Sequence, residues 1–118
     1  MIKHMPNTTE TELIDAYMLF LNTFSSKPRL KILNLLRKKE MNVSEIIEKL
    51  KMSQTHVSHN LNRLKSCGFV KDELKGKYRY YKINSKTIKP ILDLINKHMD
   101  VHCLQIIKKL KGGTEQNE

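Results

Sequence analysis

The sequence predicts a mainly α-helical fold with one small β-hairpin, in a single domain spanning residues 1–118. Two observations carry this prediction. Apolar residues recur every three or four positions in five segments, which is the period of an amphipathic helix. Over residues 69–83 the period changes to two, as in a pair of β-strands. A chain of this length removes about two thirds of its unfolded surface on folding, so it can build a core without disulfide bonds.

The charge balance points to an anionic partner. Lys and Arg number 22 and Asp and Glu 12, which gives a net charge of +10. A basic domain gains affinity for nucleic acid because neutralised phosphates release their condensed counterions. The chain has no apolar run of the kind found in a signal peptide or a membrane span. We therefore expect a cytoplasmic protein with a nucleic-acid partner and no membrane partner, whose cysteines stay reduced.

Capping signals mark the first two helices. Thr9 and Glu12 have the spacing of a capping box, and Ser25 or Ser26 can cap the second helix, with Pro28 in its first turn. The first helix is apolar on two sides. A helix of this kind needs two neighbours, and a second subunit is a candidate for one of them.

Two short helices follow within residues 43–67. Asn42 with Glu45 begins the first of them, Ser53 can cap the second, and Gly68 suits a left-handed stop. Two short helices joined by a few residues form a helix-turn-helix. The second of the pair is then the recognition helix.

A hairpin and a long helix complete the chain. Residues 69–83 predict two strands with a basic tip around Gly76. A single helix is expected over residues 87–111, capped by Thr87 and terminated by the glycine pair that begins at Gly112.

Five motifs occur in order between residues 25 and 83: PRLKILNLL, VSEI, SQTHVSHNLNRL, CGFV and YRYYKI. This combination resembles the ArsR/SmtB family of small winged helix-turn-helix repressors. The resemblance implies four helices, a two-stranded wing and a fifth helix, and a homodimer formed by the first and last helices. It also implies repression of transcription. Independently, a symmetric dimer would cover the second apolar side of the first helix and the long apolar face of the last.

The recognition helix carries the candidate contacts to double-stranded DNA. Polar side chains outside its apolar stripe can read base edges in the major groove or hold phosphates. These side chains are Gln54, Thr55, His56, Ser58, His59, Asn60, Asn62 and Arg63. We expect Gln54, Thr55, Ser58 and His59 to face the groove floor and Arg63 to contact phosphate. The alternative is a merely solvated helix face.

Basic side chains in the hairpin are the second candidate contact. They are Lys71, Lys75, Lys77 and Arg79. Beside a recognition helix they would reach the flanking backbone or the minor groove. The alternative is that they only oppose edge-to-edge strand pairing. The expected complex is a dimer on an inverted repeat with half-sites about 34 Å apart.

No cofactor is required by this reading, but a metal sensor is a candidate. The cysteine pair that some family members carry at the start of the third helix is not present, because that region reads MNVSEI. The positions of the family's last-helix site hold Thr87, Lys89, Asp100 and Cys103. That site does not transfer.

A separate cluster of His98, His102 and Cys103 can be a site for zinc or another transition metal. Two histidines four residues apart share a helix face and can chelate one ion. The alternative is a structural histidine beside a buried thiol.

Other function classes have less support. The sequence holds no phosphate-cradling glycine loop, nucleophile elbow or paired acid motif, so an enzyme is not expected. Two alternatives stay open: a constitutive or architectural DNA-binding protein without a ligand switch, and a winged-helix module that binds protein or RNA.

Overall fold

A computed structural model describes residues 7–116, with side chains described as far as residue 112. It divides into two compact units, Met1–Ile83 and Asn84–Glu118. The helices of the first unit are α1 (Glu10–Phe24), α2 (Lys27–Leu36), α3 (Val43–Leu50) and α4 (Gln54–Ser66). Its strands are β1 (Met41–Asn42), β2 (Val70–Lys75) and β3 (Tyr78–Ile83). The second unit contains α5 (Ile88–Val101) and α6 (Cys103–Gln116). None of the helices described has the length and apolar character needed to cross a membrane.

Side-chain caps begin the four helices of the first unit, as the sequence predicts. The capping residues are Thr9, Ser26, Asn42 and Ser53. The Asn42 side chain accepts from the Glu45 amide at 2.9 Å, and Glu45 accepts from the Asn42 amide at 3.0 Å. Such reciprocal bonds satisfy amides that have no partner inside the helix. Both short helices of the helix-turn-helix therefore start at defined residues.

Left-handed residues end α3 and α4. Lys51 has a φ of 56° and donates its amide to the Ile47 carbonyl at 2.8 Å. Gly68, with a φ of 74°, lets the Phe69 amide reach back to the Leu64 carbonyl at 2.8 Å. This bond pattern is a Schellman stop. The predicted glycine stop of the recognition helix is thus confirmed.

The core of the first unit lies where α2, α3, α4 and the sheet meet. Its buried apolar residues include Ile32, Leu33, Leu36, Ile46, Val57, Leu61, Leu64, Phe69 and Val70. Phe69 is fully buried, and its ring centroid lies 4.7 Å from that of Phe24 and 5.2 Å from that of Phe20. This aromatic cluster connects α1 to the end of α4.

The hairpin belongs to a three-stranded antiparallel sheet in the order β1-β3-β2. The sequence predicts only two strands. The third consists of Met41, which pairs with Tyr81, and Asn42, which pairs with Tyr80. Two residues cannot show a period of two, so this strand depends on tertiary pairing and has no sequence signal.

The single last helix expected over residues 87–111 is wrong, because the helix is interrupted at His102. Val101, His102 and Cys103 are consecutive residues of low helix propensity. The expected stop at the glycine pair is wrong as well. Gly112 does not adopt a positive φ, and α6 continues to Gln116. The Thr87 side chain makes no capping hydrogen bond.

We predict that Phe69→Ala destabilises the protein by about 3–5 kcal/mol, because it leaves a cavity between α1 and α4. Urea unfolding followed by circular dichroism measures the change. Leu74→Ala is the matched control: Leu74 is 61% exposed, and its truncation should change stability by less than about 0.5 kcal/mol. Equal losses in the two variants would contradict the core described above.

Candidate nucleic-acid interface

One face of α4 is open to solvent because the opposite face is fully buried. Val57, Leu61 and Leu64 are 0% exposed. The exposed side chains of α4 that the sequence singled out are Gln54, Thr55, His56, His59 and Asn62, and Ser58 is half-buried beside them. Gln54, Thr55, Ser58 and His59 follow helical spacing and share one face. A row of donors and acceptors on one helix face can meet base edges in a major groove.

Asn60 is not available to contact DNA, which corrects the expectation for this residue. Its side chain is 3% exposed. The amide oxygen accepts from Nη1 of Arg29 at 3.2 Å, and the amide nitrogen donates to the His56 carbonyl at 2.8 Å. Asn60 lies on the same side of the helix as the apolar stripe, so its polar atoms are satisfied inside the protein.

The guanidinium of Arg63 is bonded within the protein through one of its three nitrogens. Its Nε donates to Oγ1 of Thr23 at 3.4 Å, and the side chain is half-buried. Within residues 7–116 no hydrogen bond occupies its terminal nitrogens. An arginine held at Nε presents its two terminal nitrogens in a fixed fork, a geometry that suits a phosphate group.

Acidic partners engage two of the four basic wing residues that the sequence singled out. The Asp72 carboxylate accepts from Nζ of Lys65 and from Nη1 of Arg79, each at 2.9 Å. Lys75 pairs with Glu40. Lys71 and Lys77 are exposed and form no ion pair with the described residues. Of these four, Lys71 and Lys77 would therefore lose no protein partner on binding phosphate.

The ion pairs shift the pKa values of Asp72 and Lys75. The hydrogen bond from Lys65 lowers the pKa of Asp72, against the opposing effect of burial, and Arg79 lowers it further. The hydrogen bond to Glu40 raises the pKa of Lys75. Asp72 thus carries its negative charge at neutral pH and connects the last turn of α4 to the wing.

The candidate metal ligands lie around the break between α5 and α6. The ring centroids of His98 and His102 are 4.5 Å apart, and both side chains are exposed. Cys103 begins α6 and is exposed, so the expected buried thiol is wrong for this residue. Among the described residues, no three His, Cys, Asp or Glu side chains form a group that can hold a metal ion.

Sequence reasoning missed three residues that shape this interface. Thr23 is fully buried at the end of α1, Arg29 bonds to Asn60, and Asp72 joins α4 to the wing. Asp72 gave a usable signal, because it and Glu73 are acids among the basic residues of the hairpin. Thr23 and Arg29 gave none, since their partners on α4, Arg63 and Asn60, are 40 and 31 positions away in sequence.

Comparison with known proteins identifies the family. The family model described as "Bacterial regulatory protein, arsR family" matches residues 26–72. The transcriptional repressor SdpR of Bacillus subtilis is 35% identical over 77 residues, which cover 62% of this chain and 86% of SdpR. The chain belongs to the arsR family of bacterial regulatory proteins. It is a DNA-binding transcriptional regulator and not an enzyme, as the sequence predicts.

Solved structures of similar arsR-family proteins have the same fold. A homodimeric winged helix-turn-helix DNA-binding domain from Mycobacterium bovis matches with a TM-score of 0.74 and 28% identity, covering 82% of this chain and 92% of that one. The repressor PagR of Bacillus anthracis matches with a TM-score of 0.62 and 33% identity, covering 73% and 99%. The predicted winged helix-turn-helix class is therefore confirmed.

We predict that Asp72→Asn lowers stability at neutral pH and that its difference from wild type shrinks as the pH falls below 3.8, the ordinary pKa of this carboxyl. A carboxyl whose pKa is lower in the folded state stabilises the fold above its unfolded pKa. That contribution is lost as the pH falls through the folded pKa. Urea unfolding across this range measures the difference. Glu73→Gln, an exposed neighbour, is the control, and a pH-independent difference for Asp72→Asn would contradict the prediction.

Proposed function

We propose that this chain is a homodimeric repressor that binds an inverted repeat in double-stranded DNA. The α4 helix enters the major groove, and the wing, β2 with β3, lies on the flanking backbone. The observation that carries the proposal is the open polar face of α4, which lies opposite three fully buried apolar residues. The similar proteins SdpR and PagR are both named transcriptional repressors.

Charge supports duplex DNA as the partner. The chain has a net charge of +10, and Lys71 and Lys77 in the wing are exposed without an ion pair to the described residues. Phosphate neutralisation by such side chains supplies affinity, while contacts between α4 and base edges supply sequence preference. The same proposal places the protein in the cytoplasm, where the DNA of a bacterial or archaeal cell lies.

An apolar stripe on α1 supports the dimer. Ile14, Tyr17, Met18 and Leu21 recur at helical spacing and are 40–52% exposed. Contiguous exposed apolar surface of this kind marks an interaction site. The similar M. bovis domain is described as homodimeric. In a symmetric dimer the same patch meets itself, so this stripe needs no second kind of partner.

The proposal is tested by fluorescence anisotropy. The wild-type protein first enriches a binding sequence from a pool of random duplexes, and its affinity for that duplex is then compared with its affinity for a scrambled one at two salt concentrations. Selective binding to the enriched duplex supports a sequence-specific regulator. Equal weak binding to both supports an architectural DNA-binding protein, and no binding supports a protein- or RNA-binding module.

We predict that Lys77→Ala and Arg63→Ala weaken binding to both duplexes alike and reduce the slope of log affinity against log salt by about one. Both side chains would contact phosphate, which carries no sequence information. Lys31→Ala, at an exposed lysine of α2, is the control for loss of charge alone. The proposed placement of α4 and the wing on DNA would be overturned if the salt slope stayed unchanged in both variants and fell in the Lys31→Ala control.

We predict a different signature for the face of α4. Gln54→Ala and Ser58→Ala should reduce the preference for the enriched duplex about tenfold, because each base contact contributes about 1–3 kcal/mol to discrimination. Competition between the enriched duplex and single-base variants measures this preference. Unchanged preference in both variants would remove these residues from base recognition.

We predict that Leu21→Glu converts the dimer into a monomer, because it places a carboxylate in the apolar stripe of α1. Light scattering after size-exclusion chromatography measures the mass. Leu74→Glu, at an exposed apolar residue of the wing, should leave the dimer intact. A dimer that persists in Leu21→Glu would show that α1 does not form the interface.

A second proposal is that zinc or another transition metal binds at His98, His102 and Cys103. The close histidine rings support it, and a dimer would supply the further ligands that a single described chain does not bring together. Calorimetric titration with zinc should give binding that His98→Ala abolishes and Cys67→Ser leaves unchanged. Lack of zinc binding by the wild type would overturn this second proposal and leave the DNA-binding proposal unaffected.

A further inference from the structure

A side chain from another helix donates hydrogen bonds to carbonyls at the end of α1. An α-helix leaves its last four carbonyls without partners in the helix. In α1 the Leu21 and Phe24 carbonyls accept from the backbone amides of Ser25 and Ser26. Arg29, in the first turn of α2, donates from Nε to the Thr23 carbonyl at 2.8 Å and from Nη2 to the Asn22 carbonyl at 3.1 Å.

The charge of Arg29 suits this position. The last turn of α1 contains no basic residue of its own, although the carbonyl end of a helix carries a partial negative charge. A guanidinium placed against two of these carbonyls supplies the missing cation and two charge-assisted hydrogen bonds. Arg29 is therefore held in one orientation by α1 and is not a freely moving surface side chain.

The remaining terminal nitrogen of Arg29 reaches the recognition helix. Nη1 donates to Oδ1 of Asn60 at 3.2 Å, and Asn60 is 3% exposed. A guanidinium can only donate, so the acceptor atom of the asparagine must face it. Nδ2 of Asn60 then donates to the His56 carbonyl at 2.8 Å. One arginine thus connects the carbonyl end of α1 to the middle of α4.

A second contact runs parallel to the first. Thr23 is fully buried, donates from Oγ1 to the Leu19 carbonyl at 2.8 Å, and accepts from Nε of Arg63 at 3.4 Å. Two residues of α4 are thus bonded to the end of α1: Asn60 through Arg29, and Arg63 through Thr23. We call Arg29, Asn60, Thr23 and Arg63 the α1–α4 link.

We propose that Arg29 is a positioning residue for DNA recognition, which holds α4 against the end of α1 through Asn60. The inference rests on the proposed function, because its consequence is read in the choice of DNA sequence. Arg29 contacts no base in this scheme. It sets the orientation in which the exposed face of α4, carrying Gln54 and Ser58, meets base edges. Because α1 is also the helix proposed to form the dimer, the α1–α4 link makes the orientation of α4 depend on how α1 packs in the dimer.

The test uses Arg29→Lys, Asn60→Ala and the double variant in the full-length chain. Lysine keeps the charge but cannot donate in three directions from one plane. We expect each single variant to reduce the ratio of affinities for the enriched and scrambled duplexes about tenfold, the size of one lost charged hydrogen bond. The salt slope should stay unchanged. Lys31→Arg, the reverse exchange on the exposed face of α2, is the matched control and should have no effect.

The ratio separates positioning from folding. A variant that is merely less folded binds both duplexes less well by the same factor, so its ratio does not change. The double variant should resemble the single variants, because both remove one shared contact. A wild-type ratio in both folded single variants, or multiplied effects in the double variant, would overturn the proposal.

A measurement without DNA keeps this inference separate from the proposed function. Hydrogen exchange of the free protein should be faster in Arg29→Lys at the amides of α4 and at the end of α1, and unchanged in β2 and β3. Unchanged exchange in α4 would overturn the link itself. A wild-type protein that does not distinguish the two duplexes would instead overturn the proposed function.

Discussion

The apolar stripe of α4 is the constraint on which the interface depends. Val57, Leu61 and Leu64 have no exposed surface, and Phe69 continues the same packing just after the helix ends. Rotating α4 by one residue would expose this stripe and bury the polar row that includes Gln54 and Ser58, at a cost that the hydrophobic effect alone makes prohibitive. The functional face of the helix is therefore set by what the core requires on the opposite face.

Packing fixes which side of α4 is exposed, and polar contacts then hold the helix at its middle and in its last turn. Asp72 accepts from Lys65 in the last turn of α4 and from Arg79 in the wing, so the wing and the helix share one carboxylate. Asn60 and Arg63 connect α4 to the end of α1, because they bond to Arg29 and Thr23 respectively. These directional bonds add little area but allow few alternative geometries, which is what a surface that reads base edges needs.

The large positive charge is divided between structure and binding. Lys75, Arg79 and Lys65 are engaged by carboxylates, and Arg29 by carbonyls and an amide oxygen. These ion pairs leave the net charge of +10 unchanged, because each pair contains one positive and one negative group. A DNA duplex would neutralise the remaining positive charge. Of the unpaired wing lysines, Lys77 lies beside Gly76 at the tip of the hairpin and Lys71 lies near its base, opposite Lys82.

The sequence by itself determined the order of the first four helices and the hairpin, the capping residues Thr9, Asn42 and Ser53, and the glycine stop at Gly68, because each depends on residues close together in the chain. Only the tertiary structure decided the roles of residues whose partners are distant. Asn60 is indistinguishable from its polar neighbours in sequence, yet it is buried against Arg29. Lys75 and Lys77 look alike, yet only Lys75 has an acid within reach. The break at His102 likewise reflects a weak run of propensities that a periodicity of three to four does not register. Local signals report local bonds, and the assignment of a polar side chain to the core, to an ion pair or to a ligand requires knowing what lies opposite it in space.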